Sequence, residues 1–193
     1  MLGYTETMRE VEVKARIRDK DAIVRALEAR GVVLSASESQ NDRIYVRETG
    51  SLETFLANGL FLRLRTKSSG KTLFTAKYNP NRNAEQDMVA EEYETEVTNA
   101  ESMERILALM GFTEAVRVVK ERKSGAFGGY EFCLDEVEGL GSFIEVEKMV
   151  EHEEDVPAAH AELLTVLSEL GIKDEDRFTK RYDVLLLENN LST

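Results

Sequence analysis

Alternating charged and apolar residues near the N-terminus constrain the fold more than any other feature of this sequence. Between residues 10 and 18, every even position carries a charge and every odd position is apolar. Successive side chains of a β-strand point to opposite faces, so this period predicts a strand with one buried face and one ionic face. Taken alone, such a strand is typical of a surface sheet whose polar side faces water.

The same alternation recurs along the chain, and this repetition favours a functional site over a charged face that is only solvated. A similar alternation returns in six further segments, of which the second has Lys77 as its one charge: 63–65, 73–77, 92–96, 120–122, 131–135 and 145–147. Some segments carry mainly acids and others mainly bases. Acidic side chains suit a hard divalent cation, and basic side chains suit phosphate. Converging strands would place both in one cavity, so the pattern indicates a site for a metal-bound polyphosphate.

Size and composition exclude several classes of protein. The 193 residues, 42% hydrophobic and 32% charged, are enough for one well-buried domain, and we expect a single domain over 1–193. We expect no membrane partner, because no run approaches the roughly 18 apolar residues of a spanning helix and residues 1–9 lack a signal-like apolar core. The net charge of -12 argues against nucleic-acid binding. The single cysteine, Cys133, excludes an internal disulfide and is consistent with a cytoplasmic protein.

Three helices are predicted, over residues 19–31, 99–111 and 155–171. Each segment starts with Asp or Asn, continues with an apolar stripe and ends at a glycine. These residues are the usual caps of a helix at its two ends. In the third segment a proline follows the cap closely, as is common in the first helical turn.

Strands after the first are predicted from alternation and flanking turn residues. Their ranges are 43–46, 60–67, 71–78, 91–98, 116–123, 130–136 and 142–150. The polar stretch 35–41 is predicted to lead into the first of these strands. Segments 48–59 and 79–87 are predicted as loops, the second as a flexible lip over a site. The tail, Thr179 to Leu187, is predicted as a last strand or as an arm that closes one end.

A faint internal repeat predicts how the strands assemble. Glu10–Gly31 and Glu92–Gly111 both place alternating acids on a strand, then a cap, an amphipathic helix and a glycine. Two such halves would close into an antiparallel barrel of about eight strands with helices packed outside, an α+β fold. Unpaired buried ions cost several kcal/mol each, so a charged barrel interior must be hydrated or occupied by a ligand.

Glu10-x-Glu12-x-Lys14 at the N-terminus resembles the signature of the CYTH superfamily, the triphosphate tunnel metalloenzymes. Further segments match the family in order and spacing: Leu62–Arg65, Thr75–Tyr78, Tyr93–Glu96, Val119–Arg122, Leu134–Gly141 and Phe143–Glu147. The block that runs from Asp135 to Glu147 is most similar to the class IV adenylate cyclase branch. The resemblance covers most of the chain.

The resemblance implies a closed eight-stranded antiparallel tunnel that binds ATP or another triphosphate with Mg²⁺ or Mn²⁺. It implies metal ligands at Glu10, Glu12, Asp135, Glu145 and Glu147. It implies phosphate-binding residues at Lys14, Arg63, Arg65, Lys77, Lys120 and Arg122. Within these two sets, it implies direct catalytic roles for Glu12, Lys14 and Arg63.

The sequence leaves the reaction open. A class IV adenylate cyclase, which converts ATP to cyclic AMP and pyrophosphate, is the favoured interpretation. A triphosphatase acting on inorganic or organic triphosphate is the first alternative, and a non-catalytic nucleotide or polyphosphate-binding module is the second. His152 and His160 lie outside the predicted strands, so no conventional general base stands out. Whether the protein forms a homodimer is also left open.

Overall fold

The computed structural model describes residues 9–47, 60–78, 91–152 and 155–191. These residues form an α+β fold, as predicted. The strands are β1 (Arg9–Arg16), β2 (Glu38–Val46), β3 (Leu60–Lys67), β4 (Thr72–Tyr78), β5 (Glu91–Glu96), β6 (Thr113–Phe127), β7 (Tyr130–Val137), β8 (Gly141–Val150) and β9 (Arg177–Phe178). The helices are α1 (Lys20–Arg30), α2 (Ala100–Leu109), α3 (Val156–Glu169) and α4 (Tyr182–Leu191). The predicted loops 48–59 and 79–87 lie outside the described residues.

The strands form a mostly antiparallel sheet in the order β5-β4-β3-β2-β6-β7-β8-β1-β9. The prediction of a closed eight-stranded barrel is therefore wrong, because the described sheet has nine strands and two ends. At one end, β9 has only two residues and pairs with Lys14 and Ala15 of β1. At the other end, β5 is rich in glutamate. A very short strand offers few hydrogen bonds to a further strand, and charged side chains disfavour pairing at a sheet edge.

The predicted helix caps are largely confirmed. Asp19 and Asn99 each accept a hydrogen bond from a backbone N–H of the first turn of α1 and α2, at 3.0 and 2.8 Å. Gly31, with φ of 92°, ends α1 in the left-handed conformation that glycine adopts without strain. Asp155 precedes α3 but makes no side-chain capping hydrogen bond.

Two sequence-based expectations differ from the structure. The strand predicted at 43–46 begins five residues earlier, at Glu38, because Gln40 and Asp42 are buried instead of solvated. The tail predicted as a strand or an arm, Thr179 to Leu187, instead leads into α4, and the short strand β9 precedes it. In α4 four consecutive apolar residues, 184–187, follow Asp183, and a short apolar run does not distinguish helix from strand.

The described sheet and helices divide into two compact units. The first contains the described residues of 1–36, 123–135 and 142–179. There α3 packs against β1, and the apolar side of β1 belongs to the core. Fully buried members of this core are Val11, Leu27, Ile144, Leu163 and Leu167. Burying each such side chain contributes about 1.5–3 kcal/mol. The charged side of β1 is thereby left on the opposite face.

The second unit contains the described residues of 37–122, 136–141 and 180–193. Its core cluster joins β2, β3 and α2 through Tyr45, Leu62, Leu64, Leu107 and Phe112. Successive side chains of a strand point to opposite faces of the sheet. Arg63 and Arg65 therefore lie on the face opposite to that of Leu62 and Leu64. That face carries the charged residues of β3 and β4.

Candidate metal and phosphate sites

Three glutamates from β1 and β8 meet in the first unit. In the antiparallel register of these strands, Glu12 lies opposite Glu147, and Lys14 lies opposite Glu145. Residues opposite each other in such a pair project to the same face of the sheet. Oxygens of Glu12, Glu145 and Glu147 all lie within 4.8 Å of one another. We call these three residues the acidic cluster.

Lys14 is an integral partner of the acidic cluster. Its Nζ donates a hydrogen bond to Glu12 Oε1 at 2.8 Å and lies 3.3 Å from Glu145 Oε1. Burial lowers the pKa of Lys14, but attraction from Glu12 and Glu145 outweighs burial and raises the pKa overall. Lys14 therefore stays charged at neutral pH. It supplies one positive charge among three carboxylates, and a negative balance remains.

The acidic cluster fits a hard divalent cation. Mg²⁺ and Mn²⁺ prefer oxygen ligands, and three carboxylates with closely spaced oxygens provide such a set. Glu145 is buried, so its charge is costly unless it is neutralised. A second group of possible ligands shares Glu147 with Glu131 and Cys133. This second group includes a thiol, which is a softer ligand than Mg²⁺ prefers.

The other two predicted metal ligands lie outside both groups. Glu10 lies opposite Met149 in the same pair of strands, one step along the charged face from Glu12. Asp135 is fully buried near the end of β7. Among the described residues, neither side chain places an oxygen within either group of possible ligands.

A buried ion pair anchors the basic face of the second unit. Arg65 donates two hydrogen bonds to Asp42, from Nε to Oδ1 at 2.6 Å and from Nη2 to Oδ2 at 2.7 Å. Burial raises the pKa of Asp42, but Arg65, and after it Arg63 and Lys120, lower the pKa more strongly. Asp42 is therefore ionised, and it holds Arg65 in a fixed orientation.

Arg63 lies beside this pair with an unused hydrogen-bond donor. Its Nη2 donates to Thr75 Oγ1 at 3.1 Å and lies 3.5 Å from Glu94 Oε2. Burial and repulsion from Arg65 lower the pKa of Arg63. Its Nε is buried and has no hydrogen-bond partner among the described residues. An unmade hydrogen bond of a buried charged group is costly, so this N–H is suited to an acceptor on a ligand.

Further bases accompany the two arginines. Lys77 Nζ lies 2.6 Å from Glu92 Oε2. Lys120, which is buried, places its ammonium 5.3 Å from the centre of the Tyr182 ring. Arg122 is half-buried, two residues further along β6. We call Arg63, Arg65, Lys77, Lys120 and Arg122 the basic set. The sixth predicted phosphate ligand, Lys14, lies in the acidic cluster instead.

Sequence reasoning missed Asp42 and Gln40 on the basic face. Glu38, Gln40 and Asp42 occur at period two, and that spacing was the signal that could have found them. The intervening residues are also polar, which hid the alternation. Neither His152 nor His160 belongs to the acidic cluster or the basic set. Burial lowers the pKa of His160, which lies on α3.

The CYTH domain family model matches residues 8–182 of the chain. The chain belongs to the CYTH domain family. The resemblance drawn from the sequence motifs is thereby confirmed. Within the described ranges, every helix of this CYTH protein is too short or too polar to cross a membrane.

Two relatives of this CYTH protein carry adenylate cyclase names. A Methanocaldococcus jannaschii protein named "Putative adenylate cyclase" is 29% identical over 175 residues, which cover 91% of this chain and 97% of the relative. "Adenylate cyclase CyaB" of Aeromonas hydrophila is 27% identical over 177 residues, which cover 91% of this chain and 87% of the relative.

Solved structures share the fold of this CYTH protein. A Pyrococcus horikoshii protein, 29% identical, superposes with a TM-score of 0.78 over 93% of this chain and 99% of its own. A Hippeastrum protein named as a "Putative adenylyl cyclase", whose structure is described as revealing a dominant triphosphatase activity, has a TM-score of 0.60 at 19% identity. The match covers 94% of this chain and 96% of the Hippeastrum chain. At that identity the likeness concerns the fold alone.

Proposed function

We propose that this protein is a divalent-metal-dependent enzyme that acts on a triphosphate, with the conversion of ATP to cyclic AMP and pyrophosphate as its reaction. The observation that carries the proposal is the buried guanidinium of Arg63, whose Nε has no partner among the described residues, beside the fixed guanidinium of Arg65. Two adjacent arginines with an unused donor suit a polyanion whose oxygens accept hydrogen bonds.

The acidic cluster is proposed to hold Mg²⁺ or Mn²⁺. When bound, such an ion neutralises phosphate charge and favours departure of the leaving group. Glu12, Glu145 and Glu147 supply the ligand oxygens, and Glu10 and Asp135 are proposed to assist them. Lys14 orients Glu12 and Glu145 through its two short contacts and offers a cation to phosphate.

The basic set is proposed to bind the phosphate groups. In the cyclase reaction the ribose 3′-oxygen forms a bond to the α-phosphorus, and the bond from that phosphorus to the pyrophosphate oxygen breaks. The hydroxyl proton passes to a base. Negative charge grows on the departing pyrophosphate, and fixed cations stabilise it. Arg63 and Arg65 are suited to this role because their neighbours already hold them in place.

Triphosphate hydrolysis is the second candidate reaction. Here water attacks the terminal phosphorus, and the bond from that phosphorus to the neighbouring phosphate breaks. The same acids and bases would serve, since only the attacking oxygen and the attacked phosphorus differ. The names of two relatives support the cyclase reaction. The activity described for the Hippeastrum protein, whose likeness to this chain is in fold, keeps hydrolysis as the alternative.

Product analysis distinguishes the candidates. Purified protein is incubated with ATP or inorganic triphosphate and Mg²⁺ or Mn²⁺, and the products are resolved by chromatography. Cyclic AMP with an equal amount of pyrophosphate supports the cyclase, whereas ADP and phosphate from ATP, or hydrolysis of inorganic triphosphate, support the triphosphatase. Bound nucleotide without products would indicate a binding module. We expect Glu12→Gln to lose turnover by about 100-fold, while Glu28→Gln, on the exposed side of α1, keeps it.

A further inference from the structure

Gln40 places an unused acceptor in the middle of the basic face. The side chain is 3% exposed and lies on β2, opposite Lys67 of β3 and Lys120 of β6. Asp42, two residues further along β2, projects to the same face and binds Arg65. Gln40 Oε1 is buried and has no hydrogen-bond partner among the described residues.

The neighbours of Gln40 fix the orientation of its amide. Nε2 donates a hydrogen bond to Glu38 Oε2 at 3.3 Å. A hydrogen bond from Lys67 is the main cause that lowers the pKa of Glu38, so this carboxylate is ionised at neutral pH. Rotating the amide by half a turn would bring Oε1 against the carboxylate, and two acceptors would then face each other. The carbonyl oxygen is therefore the atom left for a ligand.

The chemistry of this acceptor excludes two kinds of ligand atom. Phosphate oxygens of a triphosphate are themselves acceptors at neutral pH, so they cannot satisfy Oε1. A metal cation is disfavoured because Lys67 and Lys120 flank Gln40 on both neighbouring strands. What remains is an N–H or O–H group. Arg63 has the opposite character, an unused donor, and suits phosphate.

We infer that Gln40 is a specificity-determining residue that accepts a hydrogen bond from the organic group of the substrate. This inference rests on the proposed function. The donor is either an amine of the base or a hydroxyl of the sugar, so the protein would select a nucleoside triphosphate over inorganic triphosphate. An open cavity of about 530 Å³ beside Lys120, lined also by residues 136–141, offers room on the same unit.

The test compares two ligands on three proteins. Binding of α,β-methylene ATP, whose α–β bridge the cyclase reaction cannot break, and of inorganic triphosphate, each with Mg²⁺, is measured by calorimetry. We expect Gln40→Leu to weaken analogue binding about tenfold and to change inorganic triphosphate binding less than about twofold. Asn189→Leu, at an exposed position of α4, is the control, and both affinities should stay unchanged. Equal weakening of both ligands by Gln40→Leu, or weakening of neither, would overturn the inference.

A second series uses the unaltered protein and so does not depend on how a variant folds. Nucleoside triphosphates that lack the base amine, the 2′-hydroxyl or the 3′-hydroxyl are compared with ATP. We expect one of the three to bind about tenfold more weakly than ATP. That analogue identifies the donor. Equal affinity of all three would overturn the inference, whereas a protein that binds neither ATP nor inorganic triphosphate would refute the proposed function itself.

Discussion

Glu12 and Glu147 lie directly opposite each other on neighbouring antiparallel strands, and their carboxylate oxygens approach within 4.8 Å. Like charges in such a position destabilise a sheet. Glu145 adds a third carboxylate, and Lys14 balances only one of the three charges. A divalent cation would reverse this unfavourable balance, so the arrangement is the structural basis for the proposed metal site.

Replacing Glu147 by Gln should reduce stabilisation by metal. A ligand present at 100 times its Kd stabilises the folded state by about 2.7 kcal/mol, and loss of one of three carboxylates should remove most of that gain. The measurement is the rise in Tm when Mn²⁺ is added to wild type and variant. Glu28→Gln serves as the control and should show the wild-type rise. Equal rises in Glu147→Gln and wild type would exclude Glu147 as a ligand.

Replacing Arg63 by Lys should weaken binding of inorganic triphosphate. Lysine keeps the charge but lacks the Nε donor and the planar fork of arginine, and a hydrogen bond to a charged group contributes about 1.5–3 kcal/mol. We expect the Kd to rise at least about tenfold by calorimetry. Arg105→Lys, at an exposed position of α2, is the matched control. An unchanged Kd in Arg63→Lys would remove Arg63 from the phosphate site.

The elements that the sequence predicted well are those that depend on one local pattern of residues. The alternation in β1 and the caps of α1 and α2 are local properties, and the structure confirms them. The acidic cluster joins Glu12 to Glu145 and Glu147, more than 130 residues away. Composition and period cannot bring such distant residues together, and the family resemblance supplied that link.

The predictions from the sequence were wrong for the buried polar residues of β2 and for the closure of the sheet. Gln40 and Asp42 read as part of a solvated stretch, because burial of polar groups depends on partners such as Arg65 that are distant in sequence. The resemblance implied a closed barrel, but closure depends on how the terminal strands pair. In the structure β9 has only two residues and β5 is rich in glutamate, and both features disfavour pairing at the ends of the sheet.

Replacing Asp42 by Asn should destabilise the protein in a pH-dependent manner. The folded-state pKa of Asp42 lies below its ordinary value of 3.8, so its ionised form contributes stability fully above that pH. The contribution is lost as pH falls through the folded-state pKa. Leaving Arg65 buried without its partner should cost about 3 kcal/mol at pH 7.

Urea unfolding at pH 7, 5, 4 and 3 checks this prediction. The difference in free energy of unfolding between wild type and Asp42→Asn should be constant from pH 7 to 5 and should shrink below pH 4. Asp174→Asn, at an exposed position, should change stability little at any of these pH values. A difference for Asp42→Asn that is the same at pH 3 and pH 7 would refute the assignment of a lowered pKa.

Two leucines of α2 test the packing of the second unit. Leu107 is fully buried in the core cluster, whereas Leu109 is 88% exposed. Leu107→Ala should lower the free energy of unfolding by about 2–5 kcal/mol, because it creates a cavity. Leu109→Ala should change it by less than about 0.5 kcal/mol. Similar losses in the two variants, measured by urea unfolding, would contradict the described orientation of α2.

The central claim is that this CYTH protein uses a divalent ion held by the acidic cluster to act on a triphosphate. Phosphorus NMR of ATP mixed with the protein, first in excess EDTA and then after the diamagnetic ion Mg²⁺ is added in excess of EDTA, tests the claim most directly. We predict that ATP persists with EDTA and that, after Mg²⁺, the ATP signals are lost while cyclic AMP and pyrophosphate signals grow. ATP that is consumed equally in EDTA, or that is not consumed with Mg²⁺, would contradict the account.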